Sequence, residues 1–133
     1  MIPAFNSDGY LPAGIHRARL DEIAERFGRE SELRQVQMES LTWMIELAKR
    51  VGVERIVVNG SFVTDKLEPN DVDCVLLIGN DYPNDTDAEA ELLSGLPFMN
   101  LELVDSEAFK LLTEDTFATD RDSTPKGMIE VIQ

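Results

Sequence analysis

Two short segments of this 133-residue chain hold residue types whose spacing could do chemistry. They are Val57-Val58-Asn59-Gly60-Ser61 and, nine residues later, Asp71-Val72-Asp73-Cys74-Val75. Alternate residues of a strand share a face, so Asp71 and Asp73 point the same way, about 6.6 Å apart. At an effective dielectric of about 20, two carboxylates at that distance repel by roughly 2.5 kcal/mol. A divalent cation bound between them would offset the repulsion, and oxygen ligands suit Mg²⁺ or Mn²⁺. Gly60, lacking a Cβ, lets a phosphate approach the backbone, and the Ser61 hydroxyl adds a donor. The first segment would hold phosphates and the second the metal that bridges them.

The elements that must position these residues follow from periodicity. Met1 to Gly14 is rich in Pro, Gly and Asn and reads as an irregular arm, with Ile2, Phe5, Tyr10 and Leu11 packing it along the domain. Leu20, Ile23, Ala24 and Phe27 recur at helical spacing before Gly28. A longer helix is expected from Ser31, an N-cap, to Arg50, with Leu33, Val36, Leu41, Met44, Ile45 and Ala48 on one face and Gly52 ending it. Trp43 reads as core edge. Strands are expected over Val53–Asn59, Val72–Ile78 and Met99–Val104, and a last one around Met128 to Ile132. Helices fit Ala88–Leu93 and Ser106–Leu112. The predicted order is helix, helix, strand, strand, helix, strand, helix, strand. That makes an α+β (or α/β) domain spanning 1–133, a mixed sheet with helices packed on it.

Composition narrows the partners. Twelve Lys and Arg against 26 Asp and Glu give a formal charge of −14. That balance argues against wrapping DNA or RNA by neutralising many phosphates and against docking on anionic lipid, and it permits attraction to a basic protein partner. No uncharged run approaches the roughly 20 residues needed to cross a bilayer, and Met1 to Tyr10 lacks the basic and apolar pattern of a secretory signal. The single Cys74 sits in an apolar run and reads as a buried thiol in a reducing, cytoplasmic setting. Lone His16 reads as a loop hydrogen bond.

The Gly-Ser and Asp-x-Asp segments resemble the signature of the DNA polymerase β-type nucleotidyltransferase superfamily. Asn59 departs from it, an apolar residue being usual before the glycine. Nearly the whole chain also resembles a narrower group of short bacterial proteins with that fold, through Ile2-Pro3-x-Phe5-Asn6-x-Asp8-Gly9-x-Leu11-Pro12, Gly14-Ile15-His16, Gly60-Ser61-Phe62-Val63-Thr64, Thr119-Asp120-Arg121 and Pro125-Lys126-Gly127. The resemblance implies Mg²⁺-dependent transfer of a nucleotidyl group from a nucleoside triphosphate to an acceptor. It carries phosphate contacts to Gly60 and Ser61 and two metal ligands to Asp71 and Asp73. A third carboxylate is implied on a neighbouring strand: Glu102 in Leu101-Glu102-Leu103, with Asp105 as alternative. Glu102 would double as proton acceptor. Polyphosphate sites need positive charge beyond the metal, and Lys66, or Arg121 or Lys126, could supply it. The acceptor could be a protein, such as the basic toxin of a toxin–antitoxin pair. The other reading is a catalytically idle domain of the same fold that binds a basic partner as an antitoxin.

Overall fold

A computed structural model describes every residue from Met1 to Gln133. The β-branched run Val53–Asn59 (β2) pairs antiparallel with Val72–Ile78 (β3), and Met99–Val104 (β4) pairs parallel with β3. Met128–Ile132 (β5) lies antiparallel on the other side of β2. Ile15–Arg19 forms a further strand, β1, parallel to β5, which completes a five-stranded mixed sheet in the order β1-β5-β2-β3-β4. The protein is therefore an α+β domain.

The strand β1 corrects the expected order, which began with a helix. Its sequence Ile-His-Arg-Ala-Arg carries only two apolar residues, too few for a pattern. As an edge strand it needs to bury little, and only Ala18 is fully enclosed.

Helices cover both faces unequally. Leu20–Phe27 (α1), Glu32–Val51 (α2) and Thr86–Leu93 (α3) lie over the larger core, where Leu41, Met44, Ile45 and Ala48 of α2 meet Ile56, Val58, Cys74 and Leu76 of the sheet. Ser31 caps α2 by accepting from the Arg34 backbone N–H, and Gly52, at φ +94°, ends it in the left-handed conformation that favours glycine. Two expected stripe residues are displaced: Val36 is 43% exposed, and Leu33 is only half-buried. Arg34 and Gln37 take the stripe instead. Trp43 is exposed, its indole N–H donating to Glu91 Oε2 at 2.6 Å.

Ser106–Leu111 (α4) crosses the opposite face and continues into one π-helical turn over Leu112–Thr116. There Phe109 closes a small cluster with Val57, Val75, Leu77 and Met128. Asp105 caps α4, its carboxylate accepting from the Ala108 N–H at 2.9 Å. No helix is long and apolar enough to cross a membrane.

Candidate functional site

Beyond the small cluster, the α4 face of the sheet opens into a cavity at the end of β2 and the start of β3 and β4. Register decides what lines it. Asn59 stands opposite Asp73 across the antiparallel pair, and Asp73 opposite Asn100 across the parallel one. Residues in register share a face, so Asn59, Asp73 and Asn100 project together, with Asp71 at the strand mouth and Glu102 two residues further along β4. The cavity encloses about 430 Å³ between Asn59, Gly60, Asp73, Asn100, Glu102 and Lys126, with Phe117 on its wall. That volume lies within the usual range of roughly 300–1,000 Å³ for small-molecule sites.

The strand end turns sharply. Gly60 has φ +75°, and a Cβ there would lie 2.2 Å from Asp73 Oδ2. Only glycine permits both the backbone and so close an aspartate. A single 3₁₀ turn, Gly60–Val63, follows, anchored by Phe62 and Val63, which are buried. Ser61, partly exposed, borders an adjoining cleft of about 260 Å³ with Tyr10, Thr64, Lys66 and Lys126. Gly60 and Lys126 belong to both spaces and join them.

The two aspartates are bridged by an amide. Asn100 Nδ2 donates to Asp71 Oδ2 at 2.8 Å and to Asp73 Oδ1 at 3.1 Å. A bound cation is the expected offset to their repulsion; here a neutral side chain already spans the pair. Burial holds the Asp73 carboxyl above the ordinary carboxylate range. The Asn100 hydrogen bond works against that shift, Asp71 adds to it, and Lys126 counteracts it.

The donor set suits a hard cation. Two carboxylate oxygens converge on one point, the Asn100 amide can turn its oxygen toward that point, and Mg²⁺ commonly takes one or two carboxylates plus water and phosphate oxygens. The expected trio of acids is not assembled, however. No group of three or more Asp, Glu, His or Cys side chains is placed to hold a metal. Glu102 lines the cavity beside the pair without completing a three-acid group. Asp105 is spent as the helix cap.

The candidate cations separate. Lys126 reaches the cavity because its loop is tied down: Tyr10 OH donates to Asp120 Oδ2 at 2.7 Å, and the Gly127 N–H donates to the Leu11 carbonyl at 3.0 Å. The arm, 1–14, thereby forms part of the site's frame. Lys66 is exposed at the rim of the adjoining cleft, and Arg121 is exposed and lines neither space. His16 Nε2 donates to the Pro12 carbonyl at 2.7 Å, a loop contact.

The chain belongs to a family of unknown function, DUF6932. The family's model matches residues 3–132, nearly the full length, so arm, Gly-Ser turn, aspartates and Lys126 all fall within it. No curated protein and no solved structure matches the chain.

Sequence reasoning missed Arg34, which stands behind the turn. Arg34 is 2% exposed, and its guanidinium donates to the carbonyls of Phe27 (3.0 Å), Phe62 (2.7 Å), Thr64 (3.0 Å), Ser61 (3.5 Å) and Lys66. One side chain thus ties the end of α1 to the whole 61–66 loop. A signal existed: Arg34 and Gln37 precede Leu41 by seven and four residues, on the same helical stripe. Asn100 was missed because it is not an acid; its role rests on register.

Proposed function

We propose that this protein is a small Mg²⁺- or Mn²⁺-dependent nucleotidyltransferase of the DNA polymerase β-type superfamily. It would move a nucleotidyl group from a nucleoside triphosphate to a hydroxyl of a separate acceptor, which a chain with a surplus of 14 negative charges would favour as a basic protein. The observation that carries this reading is the convergence of Asp71 and Asp73 beside Gly60, at the mouth of a cavity that also holds Lys126.

Asp71 and Asp73 would hold the cation, with Asn100 turning its amide oxygen toward it. When bound, the cation supplies charge neutralisation at a phosphoryl oxygen and lowers the pKa of a nearby hydroxyl. The turn at Gly60 and Ser61 leaves room for the polyphosphate against the backbone, and Lys126, with Lys66 at the rim, balances its charge. Glu102, an exposed residue on the cavity's lining, would accept the proton of the attacking hydroxyl. Burial of Asp73 supports its part, since a half-buried carboxylate held above its ordinary range is a group that gains from a cation. The single free, buried Cys74 supports a cytoplasmic setting.

One observation favours a second reading. Asn100, and no third acid, lies within bonding distance of both aspartates, which suits an idle domain of this fold acting as a partner-binding or antitoxin module. Labelled nucleoside triphosphates with Mg²⁺ and a co-expressed basic partner separate the two. Transfer of label that falls by several orders of magnitude in Asp73→Asn supports the enzyme. A partner complex that survives Asp71→Asn with Asp73→Asn and never carries label supports the binding module. Transfer undiminished in that double variant would defeat the mechanism.

A further inference from the structure

The sheet has two open edges, and they differ. The edge strand β1 carries Arg17 and Arg19, charges of the kind that keep a free edge from pairing. The other edge is β4, whose only charge is Glu102. Asn100 and Glu102 lie on its cavity face, while Met99, Leu101 and Leu103 alternate with them on the opposite one, each half-buried. Those three, with Leu92, Leu93 and Leu96 from the end of α3 and the turn after it, line an apolar groove of about 190 Å³. Leu93 is 59% exposed, and Phe98, directly before β4, is 38% exposed.

The surroundings of this groove are acidic and hold no cation of their own. Residues 67–109 include eleven acids and no Lys, Arg or His. That stretch builds β3, α3 and β4, and of its acids only Asp85 has an ion-pair partner, Arg50. Asp87 and Glu91 on α3, and Asp105 and Glu107 just beyond β4, are exposed.

We propose that the β4 edge and its groove dock an extended segment of a basic protein, added to the sheet as a further strand. The open edge offers unpaired backbone groups, and the groove takes the apolar side chains that point one way from the added strand. The acids around it attract the lysines and arginines that flank those side chains. A second copy of this chain is a poor occupant, because pairing β4 with β4 would bring two such acidic surfaces together. The inference rests on the proposed function only for the partner's basic character. It sets that partner beside the cavity, which Asn100 and Glu102 of the same strand line.

The probe is a peptide of about eight residues alternating lysine with valine, titrated without nucleotide or metal and followed by amide NMR of the protein. Shifts should concentrate at Met99–Val104 and around residues 92–96. A peptide with serine in place of valine keeps the charge and should bind at least about tenfold more weakly. Leu93→Lys sets a cation on the groove and should weaken binding about tenfold. Ile132→Lys makes the same charge change on β5, three strands away and also at an exposed position, and should weaken it by about twofold at most. No binding, equal binding of the serine peptide, equal losses in the two variants, or shifts away from β4 would overturn the docking site. So would a native protein that sediments as a dimer and turns monomeric in Leu93→Lys, since the groove would then belong to a second copy. None of these outcomes touches nucleotide binding, which the labelled-transfer assay reads separately.

Discussion

Replacing Arg34 by Met removes the guanidinium and keeps a long apolar stem, so the loss reports on the carbonyls it serves. The side chain has no carboxylate partner within bonding distance; its positive charge is spread over backbone oxygens. Thr64 is half-buried and Lys66 exposed, so their carbonyls regain water once the guanidinium is gone. The carbonyls of Phe27 and Phe62 lie in buried bonds and do not. Each orphaned buried carbonyl costs about 1–3 kcal/mol, and the stacking of the guanidinium 5.2 Å over the Phe62 ring is lost as well. The expected destabilisation is about 3–5 kcal/mol, a large share of the roughly 5–15 kcal/mol that holds a domain folded. Arg34→Lys, with three donors on one point, should recover less than half of it. Urea unfolding followed by circular dichroism gives the number, and amide exchange at Phe62, Val63 and Thr64 should rise before the global transition. A loss below about 1 kcal/mol for Arg34→Met, or unchanged exchange in that turn, would refute the claim that this one side chain holds the loop.

Two further outcomes follow from the same geometry. Asn100→Asp should lower stability in chelator by about 1–3 kcal/mol, because a third carboxylate replaces the bridging amide, and Mn²⁺ should then raise its melting temperature more than that of the native protein; an equal metal response in the two would remove Asn100 from the proposed cation site. Asp85 caps α3 through the Ala88 N–H, and this bond, followed by the contact with Arg50, holds its carboxyl below the usual range. A depressed carboxyl stabilises the fold above its unfolded value and loses that contribution as pH falls through the folded one, so the stability gap between native and Asp85→Ala should close in acid, below about pH 4. A gap that stays constant to pH 2 would mean the cap is not charge-dependent.

Strong periodicity and β-branched runs made α2 and β2 to β5 legible, because each must bury one face of its own. What escaped was held by neighbours. Ile15–Arg19 is a strand because β5 offers an open edge, not because its residues demand one. The aspartates were legible as a pair, since alternation alone puts them on one face. Their third companion was not: a search for acids finds Glu102 and Asp105, whereas the residue at bonding distance is set by the alignment of β3 with β4, which no local pattern encodes. Arg34 escaped for the opposite reason. A charged residue on a helix is usually solvated, and only the five carbonyls gathered around it explain its burial.

An amide rather than a third acid beside the two aspartates alters how the proposed site would meet a cation. Three converging carboxylates without a metal repel strongly and hold an ion avidly. Two carboxylates sharing one amide N–H are already reconciled, so the empty arrangement is stable and an incoming cation must displace a hydrogen bond at 2.8 Å and another at 3.1 Å. With Lys126 near Asp73 reducing the local negative charge further, the protein alone offers a free ion little. A cation that arrives on a polyphosphate brings its own oxygen ligands and is accepted by the aspartates at smaller cost, since Mg²⁺ keeps phosphate and water in its shell. In the proposed enzyme, metal and nucleoside triphosphate would therefore bind together.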